Sequence, residues 1–162
     1  MKSDIPTTAL ILGLLGTLPF ILGTVLTIFP EPITNFTGVP IFVASLFGSG
    51  ILLMYGTVIL AFMSGVLWGF AANANSDQSS KYYVLSVIPA ILVFFFATYG
   101  FAAPLIGLGQ PALSPLTIGF IAILLLDFAF SKAGLTPSWW MKLRSLITLI
   151  VVMCLTIGEI AQ

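Results

Sequence analysis

From Pro32 to Ser76 the chain carries no Asp, Glu, Lys or Arg, and the stretch from Tyr82 to Leu126 carries none either. Soluble domains, in which about 25% of residues are charged, do not contain such stretches. Here 59% of the 162 residues are hydrophobic and 6% are charged, the usage of a chain whose solvent is lipid. The hydrocarbon core is about 30 Å thick and one crossing takes about 20 apolar residues. The chain therefore has room for about five or six crossings with short loops, and for no soluble domain beside them. The expected fold class is all-α, a polytopic membrane protein with five transmembrane helices over about residues 8–29, 51–72, 82–103, 116–130 and 137–160.

The first of these runs follows Met1-Lys2-Ser3-Asp4 and superficially resembles a signal peptide, but it is too long and lacks a small-residue cleavage site, so it reads as a retained span. Pro19 removes the bond to the Leu15 carbonyl and predicts a kink there, with Thr17 near enough to re-satisfy the freed backbone. Pro30–Pro40 is rich in turn formers and reads as a loop. A helix over 41–72 would be about 48 Å long at 1.5 Å per residue, well over the core thickness. A break at Gly48-Ser49-Gly50 solves this by making 41–47 a short interfacial or re-entrant helix; a single strongly tilted helix is the competing solution. Within the second span Thr57, Ala61, Gly65 and Gly69 recur at i, i+4, a ridge of small residues. That ridge suits close packing against the first or last span, or the seam of a homodimer. Tyr55 and Trp68 stand near the two ends of this span, where amphipathic rings favour the interface. Residues 73–81 and 104–115 read as loops, and Pro89 predicts a kink in the third span.

Asp127 to Thr148 is the other organising stretch, a charged hairpin between two apolar runs. Thr136-Pro137 supplies an N-cap and a first-turn proline, so the last span is expected to start near Pro137. Trp139, Trp140, Lys142 and Arg144 then lie at headgroup level. Five crossings put Lys2, Lys81, Lys132, Lys142 and Arg144 on one side and Glu31 and Glu159 on the other. All basic residues on one side is a positive-inside pattern, which places the N-terminus in the cytoplasm and Gln162 opposite. Asp127 and Arg144 face each other across the turn, and the expectation is an ion pair that locks the hairpin. Glu159 is expected to be solvated at the far surface.

The chemistry left open is narrow. With no histidine and one cysteine, Cys154, neither an internal disulfide nor a Ser-His-Asp or Cys-His nucleophile can be assembled. The lack of histidine also argues against haem, zinc or chlorophyll, so no cofactor and no metal are expected. Zero net charge without a basic patch argues against nucleic acid as a partner. No catalytic residue is assigned. Membrane lipids and either a membrane-protein partner or a second copy of the chain are the expected contacts.

Two patterns carry a family resemblance. Asp127, Gly134-Leu135, Pro137, Trp139, Leu143-Arg144, Leu146 and Thr148 form one; Tyr55-Gly56, Ile59-Leu60, Phe62, Gly65 and Trp68-Gly69 form the other. In order and spacing they resemble a bacterial domain-of-unknown-function family that also includes the mitochondrial transmembrane protein 69. The sequence departs from that pattern at Ser64, where relatives often have glycine, and at Leu67, where a basic residue or histidine is frequent. The resemblance implies a multi-span inner-membrane protein, no reaction, and an energy-transducing membrane as the setting. Together with the short loops and the small-residue ridge, it supports an accessory, scaffold or assembly subunit. A small carrier or channel and a quinone- or lipid-binding protein are the alternatives.

Overall fold

A computed structural model describes residues 4–74, 76–107 and 111–162. Lys2 and part of each of the loops expected at 73–81 and 104–115 lie outside the described residues. The described residues form seven helices: α1 Thr7–Leu15, α2 Leu18–Ile28, α3 Glu31–Thr37, α4 Ile41–Ala71, α5 Ser76–Leu105, α6 Ser114–Lys132 and α7 Trp140–Ile160. The first two make one crossing, so five stretches are long and apolar enough to span a membrane.

The first crossing is broken where Pro19 predicts it, at Gly16-Thr17. Thr17 Oγ1 donates to the Leu14 carbonyl at 2.7 Å. Tyr55 on α4 donates its phenolic hydrogen to the Gly16 carbonyl at 3.0 Å. A break in lipid survives when nearby side chains take up backbone groups around it, and here both hydroxyls donate to carbonyls at the break. Tyr55 is therefore half-buried in the interior of α4, edge-on to Phe20 at 5.1 Å, and not an interfacial ring near a span start.

α4 is the central helix and packs against α2, α5, α6 and α7. It corrects two expectations. Residues 41–47 are not a separate interfacial or re-entrant helix, because α4 runs unbroken through Gly48-Ser49-Gly50. Gly48 is there for another reason: a Cβ on it would sit 2.5 Å from Thr27 Oγ1 and 2.7 Å from the Gly23 carbonyl oxygen. The backbones of α2 and α4 touch at this point, and only a residue without a side chain permits it. Nor does the small-residue ridge pack internally. Ala61, Gly65 and Gly69 are exposed, and a Cβ on either glycine would meet nothing within 4 Å.

Two further differences concern helix ends. The first expected loop contains α3, closed by Gly38 at φ 75°, the left-handed conformation a C-terminal glycine supplies. α5 begins at Ser76, taking in residues that were expected to be loop, and passes Pro89 without interruption. Beside that proline Ser64 Oγ accepts from the Ala90 amide at 3.2 Å and donates to the Ser86 carbonyl. Its hydroxyl thus sits between the donor and acceptor that an undisturbed helix pairs directly. A glycine at position 64, frequent in the resembled pattern, lacks that hydroxyl.

Candidate functional site

The hairpin between α6 and α7 builds the most polar buried point of the described molecule. α6 ends in a Schellman arrangement, in which Leu135 N–H donates to the Phe130 carbonyl at 3.1 Å and Gly134 N–H to that of Ser131 at 3.0 Å. Gly134, at φ 72°, makes the reversal, and Leu135 packs back on the cluster around Phe130. The chain then crosses Thr136–Trp139 and enters α7 at Trp140. This corrects the expected start near Pro137. Thr136 does not cap the helix; its hydroxyl is buried without a partner among the described residues.

On α7 the residues Trp140, Arg144 and Thr148 stand at i, i+4 and i+8, on one face. Asp127 comes to them from α6, 0% exposed. Its Oδ1 accepts from Trp140 Nε1 at 2.7 Å and its Oδ2 from Arg144 Nε at 2.7 Å. The expected Asp127–Arg144 ion pair is present, and it is buried, Arg144 being 3% exposed. Each carboxylate oxygen thus holds one charged or strongly polar donor, the arrangement that compensates best for lost hydration. The Arg144 guanidinium also lies over the Trp140 ring, 6.0 Å from its centroid. The sequence reading placed Trp140 only at headgroup level; its spacing of four from Arg144 is the signal that puts both on Asp127.

Beside this cluster is a cavity of about 200 Å³ between the first crossing, α4, α6 and α7. Phe20, Phe120 and Ile59 supply apolar walls, and Arg144 and Thr148 the polar side chains. Leu12 and Phe62, each 64% exposed, form the rim on the outer surface.

The other singled-out residues stand apart. Trp139 is half-buried and edge-on to Trp140 at 5.9 Å, while Lys142 is exposed. Trp68 is half-exposed and tilted against Tyr83 at 4.7 Å. Gly65 and Gly69 belong to the outward ridge. Glu159 is not simply solvated: its Oε2 accepts from the amides of Leu113 and Ser114, the latter at 3.2 Å, and so caps the start of α6. Among the described residues no group of three His, Cys, Asp or Glu side chains is placed to hold a metal.

Five long apolar helices, a buried interhelical ion pair and an absence of strands among the described residues define a multi-pass α-helical membrane protein. Residues 5–160 match the family model described as Protein of unknown function (DUF3429), and the chain belongs to that family. It is similar to Transmembrane protein 69 of Xenopus tropicalis, with 29% identity over 160 residues, covering 94% of this chain and 53% of the relative. The chain thus spans about half the length of that curated relative. No solved structure matches it.

Proposed function

We propose that this protein is a non-catalytic accessory, scaffold or assembly subunit of a larger complex in an energy-transducing inner membrane. The observation that carries this reading is the outward ridge of α4. Exposed Leu and Phe side chains are ordinary on a helix in lipid, which is as apolar as they are. Thr57, Ala61, Gly65 and Gly69 in line are different, because they present a shallow groove to which a second helix brings its backbone close. Lipid chains gain less from such a groove than a helix does. A re-entrant segment at 41–47 would favour the carrier alternative, because broken helices line transport pathways, and α4 runs unbroken there.

Mild extraction from native membranes followed by native mass spectrometry tests the reading. A foreign subunit is expected to remain attached to the wild type. Gly65→Leu, placed in open space, is expected to keep the wild-type melting temperature and lose that subunit. Recovery of the wild type with nothing attached would overturn the proposal; recovery with only a second copy would replace it by a homo-oligomer. The distribution of Lys81, Lys132, Lys142 and Arg144 supports a cytoplasmic N-terminus with Gln162 opposite. Labelling of cysteines placed at Ser3 and Gln162 from the same side would refute that orientation.

A further inference from the structure

We infer that the cavity beside Asp127 and Arg144 is a binding site for a neutral, apolar molecule bearing a carbonyl oxygen, entering sideways from the bilayer. Two polar groups beside the cavity have no partner among the described residues. Asp127 uses both oxygens on Trp140 and Arg144 Nε, which leaves Arg144 Nη2 buried without an acceptor among the described residues. One turn further along α7, Thr148 is 2% exposed and its hydroxyl is likewise unpartnered. The other threonines buried as whole residues behave differently, Thr17, Thr24 and Thr27 each donating to a carbonyl three or four residues earlier; the half-buried Thr34 and Thr136 also hold unpartnered hydroxyls, but neither lines the cavity. Thr148 makes no such bond. Arg144 and Thr148, i and i+4 on one helix face, therefore both line a single cavity, with their unpartnered donors buried just behind its surface.

The guest's chemistry follows from charge and shape. Arg144 is already neutralised by Asp127, so an added anion would be an uncompensated charge in a low-dielectric site. A carbonyl oxygen brings two acceptor lone pairs and no net charge. The cavity, at about 200 Å³, is larger than an apolar cavity of about 150 Å³ that accommodates benzene. Its walls include Phe20, Phe120 and Trp140, which suit a flat ring. Neither donor atom is accessible as the side chains stand, so a guest's oxygen meets them only when Thr148 turns about χ1 and the Arg144 guanidinium shifts toward the cavity with it. The exposed rim at Leu12 and Phe62 gives a lipid-soluble guest its entrance. A quinone ring and the ester carbonyl of a phospholipid share this chemistry.

Trp140 in the wall is a built-in reporter, isolated by Trp68→Phe and Trp139→Phe. In that background, decylubiquinone added to delipidated protein is expected to quench fluorescence saturably. Thr148→Val preserves shape and removes one donor; it is expected to weaken the quenching constant about tenfold without lowering the melting temperature. Ile59→Phe, which fills the cavity, is expected to abolish saturable quenching and serves as a second variant. If quenching is absent but native mass spectrometry finds supplied phosphatidylethanolamine on the wild type and not on Thr148→Val, the guest's carbonyl is the lipid ester. Equal binding by wild type and both variants, or no binding of either probe, would overturn the inference.

Discussion

Asp127→Asn is the substitution for which the packing makes the sharpest demand. The amide has nearly the shape of the carboxylate but one acceptor in place of two, so it cannot hold both Trp140 Nε1 and Arg144 Nε. Arg144, 3% exposed, is then left without a counter-charge. Removing one partner of a buried pair costs about 3–5 kcal/mol, whereas a neutral hydrogen bond between membrane helices averages about 0.6 kcal/mol. The two figures separate a desolvated pair from an incidental contact. At about 2–4 °C per kcal/mol for a chain of this size, the variant should melt about 6–20 °C below wild type. Thermal unfolding in mild detergent, followed by tryptophan fluorescence, measures this. Asp127→Leu combined with Arg144→Met should recover most of the loss, because apolar residues of similar volume often replace a buried pair at no cost. A melting temperature for Asp127→Asn within about 2 °C of wild type would refute the reasoning, since it would mean that water reaches the pair.

Gly48→Ala and Gly50→Ala should move in opposite directions in the same assay. The first forces α2 from α4 and should cost about 1–3 kcal/mol. The second enters open space and improves helix propensity, so it should be neutral or gain up to about 1 kcal/mol; destabilisation by both would argue for a break at 48–50. Glu159→Gln weakens the cap on α6 and should cost about 1 kcal/mol, and no change would mean that the Leu113 and Ser114 amides are served by water instead.

The number of crossings was legible because uncharged length limits it to about five or six and the basic residues fall on one side only with five, and the Asp127–Arg144 pair because opposite charges stood at the two ends of a short turn. Helix continuity was not. Gly48-Ser49-Gly50 looks the same in sequence whether it ends a helix or lets another backbone approach, and only the position of Thr27 and Gly23 distinguishes the cases. The Thr57–Gly69 ridge carried the same ambiguity, since small residues suit an inner seam and an outer one equally well. Thr136 matched a capping pattern, yet Gly134 sets the path of the turn and α7 opens only at Trp140. The candidate site was half visible. Asp127 and Arg144 could be named, whereas the unpartnered state of Thr148 depends on a rotamer that no sequence pattern encodes.

The order of Asp127 and Arg144 along the chain has a consequence for synthesis. The carboxylate on α6 leaves the ribosome 17 residues ahead of its guanidinium on α7. An aspartate at the centre of a lone helix facing lipid costs about 2.5–3.5 kcal/mol to insert; Asp127, near the C-terminal end of α6, carries a smaller share of that cost, and in the folded protein Arg144 and Trp140 of α7 offset it. α6 is thus expected to insert more efficiently when α7 follows it than when it is the last helix of a truncated chain, which a membrane-insertion assay of the two lengths measures.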